Sequence, residues 1–206
     1  CALPICVNGC PLGTGFARRR LRAGGVGGAA TGQPLTLAPR INTPRIFLVH
    51  AYKECIMSSF SIGLSWQRST SDFDVKTFSR DHVWRLAGGQ IVQGSSAPDY
   101  SGNPKMSNPE EALLAALSSC HMLTFLSIAA LRKLMVDRYE DEPVAELGKN
   151  EKGKIMVARM ILRPQVTFGG ATIPDENTVW QLHRKAKENC FVGNSLLSQV
   201  MLEPRF

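Results

Sequence analysis

From Ala112 to Leu131 the chain is apolar nearly all the way round a helix, and no other stretch limits its possible folds as much. Asn108 introduces the run as a good N-cap, Pro109 suits the first helical position, and Glu110 and Glu111 suit the positive end of the helix dipole. Arg132 and Lys133 close it, as the negative end prefers. These signals predict a helix from Pro109 through Leu131 or Met135. A surface helix keeps a polar face. One with almost none needs apolar cover on every side, so this helix is expected to be buried and central. It carries one thiol and one imidazole, Cys120 and His121.

Around that helix the pattern is that of strands. Phe60, Ile62 and Leu64 alternate with small or polar residues up to Trp66, residues 73–78 alternate again, and His82 to Leu86 follows. Gly88-Gly89 before Ile91-Val92 signals a hairpin, and residues 94–107 form a loop by composition. Beyond the helix, 143–145 and 154–168 read as strands, with Gly169-Gly170 as a stop. Pro174-Asp175-Glu176 opens a second helix, with Val179, Leu182, Ala186 and Cys190 at helical spacing, and 196–202 is a last short strand. The order of strands, helix, strands, helix and strand predicts an α+β fold with antiparallel sheet rather than a doubly wound parallel one. Trp66, Trp84 and Trp180 are expected to pack the core.

The chain has a net charge of +7, but the excess is confined to its start. Before Glu54 there is no acid, while Arg18, Arg19, Arg20, Arg22, Arg40, Arg45 and Lys53 are present. From residue 54 on, acids and bases cancel, which leaves no basic footprint for nucleic acid. No window reaches 18 consecutive apolar residues, so no membrane partner is expected. Residues 1–56 are acid-free, rich in Gly and Arg, and without a stable apolar period. They read as translated upstream sequence with Met57 as the natural start, as an organelle-targeting segment, or as a disordered extension. The domain is placed at 57–206. Cys1, Cys6, Cys10 and Cys55 lie in or beside the N-terminal region, and only Cys120 and Cys190 fall in the patterned part. That usage fits a reducing, cytoplasmic compartment, where a paired cysteine is more often redox-active than structural.

A lone cysteine on an apolar helix is usually a small buried hydrophobe. A reactive one needs positive charge or donors beside its sulfur, and access for a substrate. Ser118, Ser119, His121 and Thr124 make this turn more polar than core packing requires. His121 lies about 100° round the helix from Cys120, so it reads as a hydrogen-bonded core or interface histidine rather than a base for the thiol. Glu111 is roughly 180° away, whereas Glu110 is about 80° off but about 15 Å along the axis. Glu110 can reach Cys120 only through an intermediary such as an arginine, with Arg80 the better candidate and Arg68 the weaker; capping is the ordinary role for both glutamates. Cys190 ends the second helical pattern, where it either packs the core or meets Cys120 to form a reversible disulfide. Among the other motifs there is no phosphate-binding glycine loop, no H-E-x-x-H and no C-x-x-C, and His50, His82, His121 and His183 have no metal spacing.

Two segments carry a family resemblance. Asn108-Pro109-Glu110-Glu111 with Leu113-Leu114-Ala115-Ala116 and Cys120, and Ala186-x-x-x-Cys190-Phe191-x-x-Asn194-Ser195, resemble the OsmC/Ohr family: osmotically inducible protein C and the organic hydroperoxide resistance proteins. Residues 79–84, with 94–98 and Tyr100, are similar to a less-studied branch, and the resemblance covers about 58–204. It implies a metal-free and cofactor-free peroxidase for organic hydroperoxides. Cys120 would match the peroxidatic thiol, Cys190 the resolving one, and Glu110 the carboxylate that positions a catalytic arginine. The loop 94–107, where one branch carries that arginine, has none, and Arg80 fits best by its distance in sequence from Cys120. The resemblance further implies an intertwined α+β homodimer, with sheets around long buried central helices and the active site at the subunit interface. Its reductant would be a dithiol such as a lipoyl group. The alternative is a stress-response or binding protein of the same fold with structural cysteines.

Overall fold

In the computed structural model of the chain, residues 58–206 are described and belong to one compact unit. The expectations for residues 1–56 fall outside them. Helix α1 spans Pro109–Leu131, as its end signals predict. Asn108 and Glu111 form a complete capping box: the Glu111 N–H donates to Asn108 Oδ1 at 2.8 Å, and the Asn108 N–H donates to Glu111 Oε2 at 3.1 Å. After Arg132, Lys133 takes a left-handed φ of 59° and turns the chain into β4 (Met135–Glu140).

Ahead of α1, β1 (Ile62–Ser65), β2 (His82–Leu86) and β3 (Ile91–Gly94) form an antiparallel sheet in that order. The Gly88-Gly89 hairpin forms as predicted, with Gly89 at a φ of 87°. Residues 73–78 are a turn and not a strand: the Thr77 and Phe78 N–H groups donate to the Asp74 carbonyl, and Asp74 Oδ1 accepts from the Lys76 N–H. An aspartate side chain that caps its own backbone competes with extended pairing. The turn also brings Phe73 and Phe78 onto Trp66, at centroid distances of 5.9 and 6.4 Å.

After α1, β4 pairs antiparallel with β7 (Gln165–Gly169). A second sheet has the order β5 (Val144–Lys149), β6 (Ile155–Leu162), β8 (Gln199–Leu202), where β5–β6 is antiparallel and β6–β8 parallel. The strand predicted over 154–168 is therefore two strands. They are divided at Arg163-Pro164, where proline has no N–H to continue the ladder. β4 escapes a sequence reading because a register shift between Val136 and Arg138 breaks its alternation. Helix α2 (Glu176–Asn189) starts at Asp175, whose side chain accepts from the Thr178 N–H at 2.8 Å, and the single turn α3 (Phe191–Asn194) follows.

Helix α1 joins two apolar clusters. Leu117 packs with Met160, Leu162 and Cys190, and Phe125 and Ala129 pack with Leu182 and Ala186. The buried residues of α1 are Leu117, His121, Phe125 and Ala129, a single stripe four residues apart. The expectation of an all-round buried helix is met only along that stripe, since Leu123 and Leu131 are 51% and 67% exposed. One chain supplies α2 and its sheets on one side only. By length and apolarity α1 would also suit a bilayer, a property that a search for unbroken apolar runs does not detect. Its stripe packs against its own chain and carries a buried polar ring. The tryptophans do not fill the core: Trp66 meets two phenylalanines at steep ring angles, Trp84 lies beside His82, and Trp180 beside Phe206. Asn108→Ala removes the cap of α1 and is expected to lower stability by about 1 kcal/mol, read from urea unfolding.

Candidate active site: a thiol pair between two helices

The chain turn at the end of α2 brings Cys190 under the first half of α1. Cys190 closes α2 and also caps α3, with its Sγ accepting the Gly193 N–H at 3.3 Å. It is 1% exposed, packed against Leu117, Met160 and Leu162. Cys120 packs against the same cluster, half-buried, and both cysteines are free thiols. Burial and then a hydrogen bond with Cys120 push the Cys190 thiol up to about 12, so near neutral pH it keeps its proton. Cys120 and Cys190, about 70 residues apart in sequence, are therefore neighbours across the helix contact.

The polar residues around Cys120 do not face its sulfur. The hydroxyls of Ser119 and Thr124 donate to carbonyls four residues back in α1, those of Ala115 and Cys120. Ser118 leaves the helix: its hydroxyl donates to Asp141 Oδ2 at 2.6 Å, and Asp141 Oδ1 accepts the Arg163 N–H at 2.7 Å. That bridge holds the Cys120 turn to the end of β4 and the end of β6.

Arg80 and Glu110 are placed apart from the thiols within this chain. Arg80 donates to the Phe78 carbonyl at 2.6 Å and the Val75 carbonyl at 2.7 Å, and its guanidinium lies 4.1 Å from the Phe78 ring centroid. Among the described residues it forms no ion pair with Glu110. Arg80 lines a hollow of about 410 Å³ with Trp66, Phe73, Phe78 and His82, and Glu110 lines an adjoining one. The two hollows share Ser96 and Pro109. Arg68, the weaker candidate, donates to the nearby Thr70 carbonyl.

His121 is the core histidine its position suggests, and its partner is a residue the sequence did not single out. His121 Nε2 lies 3.1 Å from His183 Nδ1, the rings stack at 5.4 Å, and His183 also stacks on Phe125 at 4.4 Å. Both are buried. Burial and then the Lys187 charge lower His121 to about 4, and burial and then His121 lower His183 to about 3. The available signal was spacing, since His183 follows Val179 by one helical turn inside the α2 apolar stripe. Tyr139, beside His183, is pushed up by burial and then by Asp141.

A family profile described as OsmC-like protein matches residues 102–204, half the chain. An OsmC-like protein of unknown function from Vibrio cholerae is 42% identical, with a TM-score of 0.70 over 72% of this chain and all of that one. The chain belongs to the OsmC-like family. Across the wider family the likeness is one of fold. The organic hydroperoxide resistance protein OhrB of Bacillus subtilis is 17% identical with a TM-score of 0.53, over 72% of this chain and 98% of its own. An uncharacterized Bacillus subtilis protein, YmaD, is 24% identical over 61% of this chain and 84% of its length. Two of the motif residues singled out for this family, Cys120 and Cys190, are the two that the fold brings together.

The histidine pair makes a pH dependence. Both folded-state values lie below the ordinary 6.5, so the unfolded chain binds more protons as pH falls. Their contribution to stability is full above about 6.5 and is lost as pH falls toward 4 and then 3. Urea midpoints measured between about pH 6.5 and 4.5 are expected to fall more steeply for the native protein than for a His121→Leu/His183→Leu double variant.

Proposed function

We infer that this chain is a thiol peroxidase that reduces organic hydroperoxides to alcohols. The packing of half-buried Cys120 against the cluster that holds buried Cys190 is the observation that carries the reading. The Cys120 thiolate attacks the peroxide oxygen distal to the alkyl group, and the O–O bond breaks. The alkoxide takes a proton and leaves as alcohol, while the sulfur keeps the hydroxyl as sulfenic acid. Cys190 then attacks the Cys120 sulfur, water leaves with the Cys190 proton, and a disulfide forms. An external dithiol restores both thiols and is itself oxidised to a disulfide. Cys120 is the peroxidatic residue and Cys190 the resolving one, Glu110 and Arg80 supply the positioning carboxylate and cation, and no metal or cofactor takes part. The apolar surroundings of Cys120 favour an alkyl hydroperoxide over hydrogen peroxide.

A second copy completes the molecule in this reading. Ile62 and Leu64, on one face of the first sheet, are 63% and 66% exposed, and Leu123 and Leu131 on α1 are 51% and 67% exposed. Exposed apolar side chains of this kind fit an interface. Sedimentation is expected to give twice the chain mass, and Ile62→Lys with Leu64→Lys to give the single-chain mass. The compartment proposed is cytoplasmic.

A non-catalytic reading has one observation in its favour: the Arg80 guanidinium is engaged by two carbonyls and not by a thiol. Intact mass decides between them. With cumene hydroperoxide the native protein should lose the mass of two hydrogens, and Cys190→Ser should gain oxygen at Cys120. An unchanged mass, with no peroxide consumed in the presence of a dithiol, favours the non-catalytic protein.

A further inference from the structure

The stripe of α1 that faces its own chain is apolar at Leu117, Phe125 and Ala129 and polar at one position, His121. That position divides the two core clusters. Leu117 and Cys120 belong to the one with Cys190, and Phe125 and Ala129 to the one with Leu182 and Ala186. His183 stands at the same boundary on α2. It precedes Cys190 by seven residues, or about two turns, so it returns within about 20° of the same side. The His121–His183 bond and the Cys120–Cys190 approach thus join the same two segments, one residue apart on α1 and about 10 Å apart along α2.

Packing alone does not account for the pair. Two imidazoles are desolvated, and His183 Nε2 is buried without a partner among the described residues. His183 therefore has one polar contact, to His121 Nε2, and losing it would leave a second buried nitrogen unpaired. An apolar pair at this joint would bury area without fixing how far one helix slides or turns on the other. A hydrogen bond with a required distance and direction does fix it. A buried polar contact that specifies register is the best-attested use of such groups.

We propose that the His121–His183 hydrogen bond is a register pin that sets the approach of Cys190 to Cys120, so both histidines are positioning residues for closure of the disulfide. The proposal rests on the thiol-pair reading above but not on peroxide being the oxidant. Closure of the bond needs the two sulfurs at about 2 Å with a narrow torsion, so a small slide of α2 is felt directly in how readily it forms. Reaction of Cys120 with a peroxide needs no such approach and is independent of the pin.

The test separates position from polarity. His183→Asn places an amide where Nδ1 stands, and His183→Gln places the same amide one carbon further out, so both keep a polar group at the joint. Each protein is equilibrated with mixtures of reduced and oxidised dithiothreitol, quenched in acid, and scored by intact mass, after circular dichroism has shown the native fold. His183→Gln is expected to shift the equilibrium toward the dithiol by about tenfold, which corresponds to about 30 mV for this two-electron couple. His183→Asn is expected to stay near the native value. Equal equilibria for the native protein and both variants overturn the proposal, as does a native protein that forms no Cys120–Cys190 disulfide, or an Asn variant no better than Gln. A second arm adds cumene hydroperoxide to Cys190→Ser, with and without His183→Gln, and follows sulfenic acid by dimedone trapping. Equal trapping in both is expected, and a selective loss in His183→Gln overturns the proposal. No trapping in either, with the dithiothreitol result intact, overturns the peroxidase reading and leaves the register pin standing.

Discussion

Enclosing α1 is the constraint from which the rest of the structure follows. Its surface is apolar on nearly every side, so its few polar side chains must be satisfied without a polar face. Ser119, Thr124 and Ser127 bond back to their own helix, Ser118 reaches Asp141, and His121 reaches His183. Each solution ties a polar side chain to a partner other than the Cys120 sulfur. The Cys120 thiol is left against an apolar cluster, which in the proposed reaction suits an alkyl substrate.

Burial differs between the two cysteines. Cys190 is enclosed and holds its proton near neutral pH, so it is a poor first nucleophile and is hidden from external oxidants. Cys120 is half-buried and can be reached. Joining the two as a disulfide with loss of water leaves no charge in the cluster at the end of the step. Burial orders the two thiols in time before any catalytic group is considered.

The sequence made legible what local chemistry dictates. Asn108, Pro109, Glu110 and Glu111 marked the start of α1, Asp175 the start of α2, and Gly88-Gly89 a hairpin. Less legible were the features decided by tertiary competition. Residues 73–78 alternate as a strand would, yet Asp74 caps its own backbone and Trp66 gathers the two phenylalanines. The register shift in β4 hides its period, and the Pro164 break divides one apolar run between two sheets. In the candidate site, spacing excluded His121 and Glu111 as partners of Cys120. It set His183 in the apolar stripe of α2, one turn after Val179, but not opposite His121, because the helix that faces that stripe is decided by tertiary packing.

The parts of the proposed thiol peroxidase are therefore unequally complete in one chain. The sulfur pair is assembled by contacts between α1, α2 and α3. The cation is not, because ten residues of straight helix put Glu110 about 15 Å along the axis from Cys120, further than one guanidinium bridges. Arg80, lining the hollow next to the one Glu110 lines, is closer to the carboxylate's end of α1 than to the thiol's. The same end lies beside the first sheet, where Ile62 and Leu64 are exposed. The redox couple thus depends on the folding of a single chain. In the proposed dimer, activation of Cys120 depends on how two copies meet.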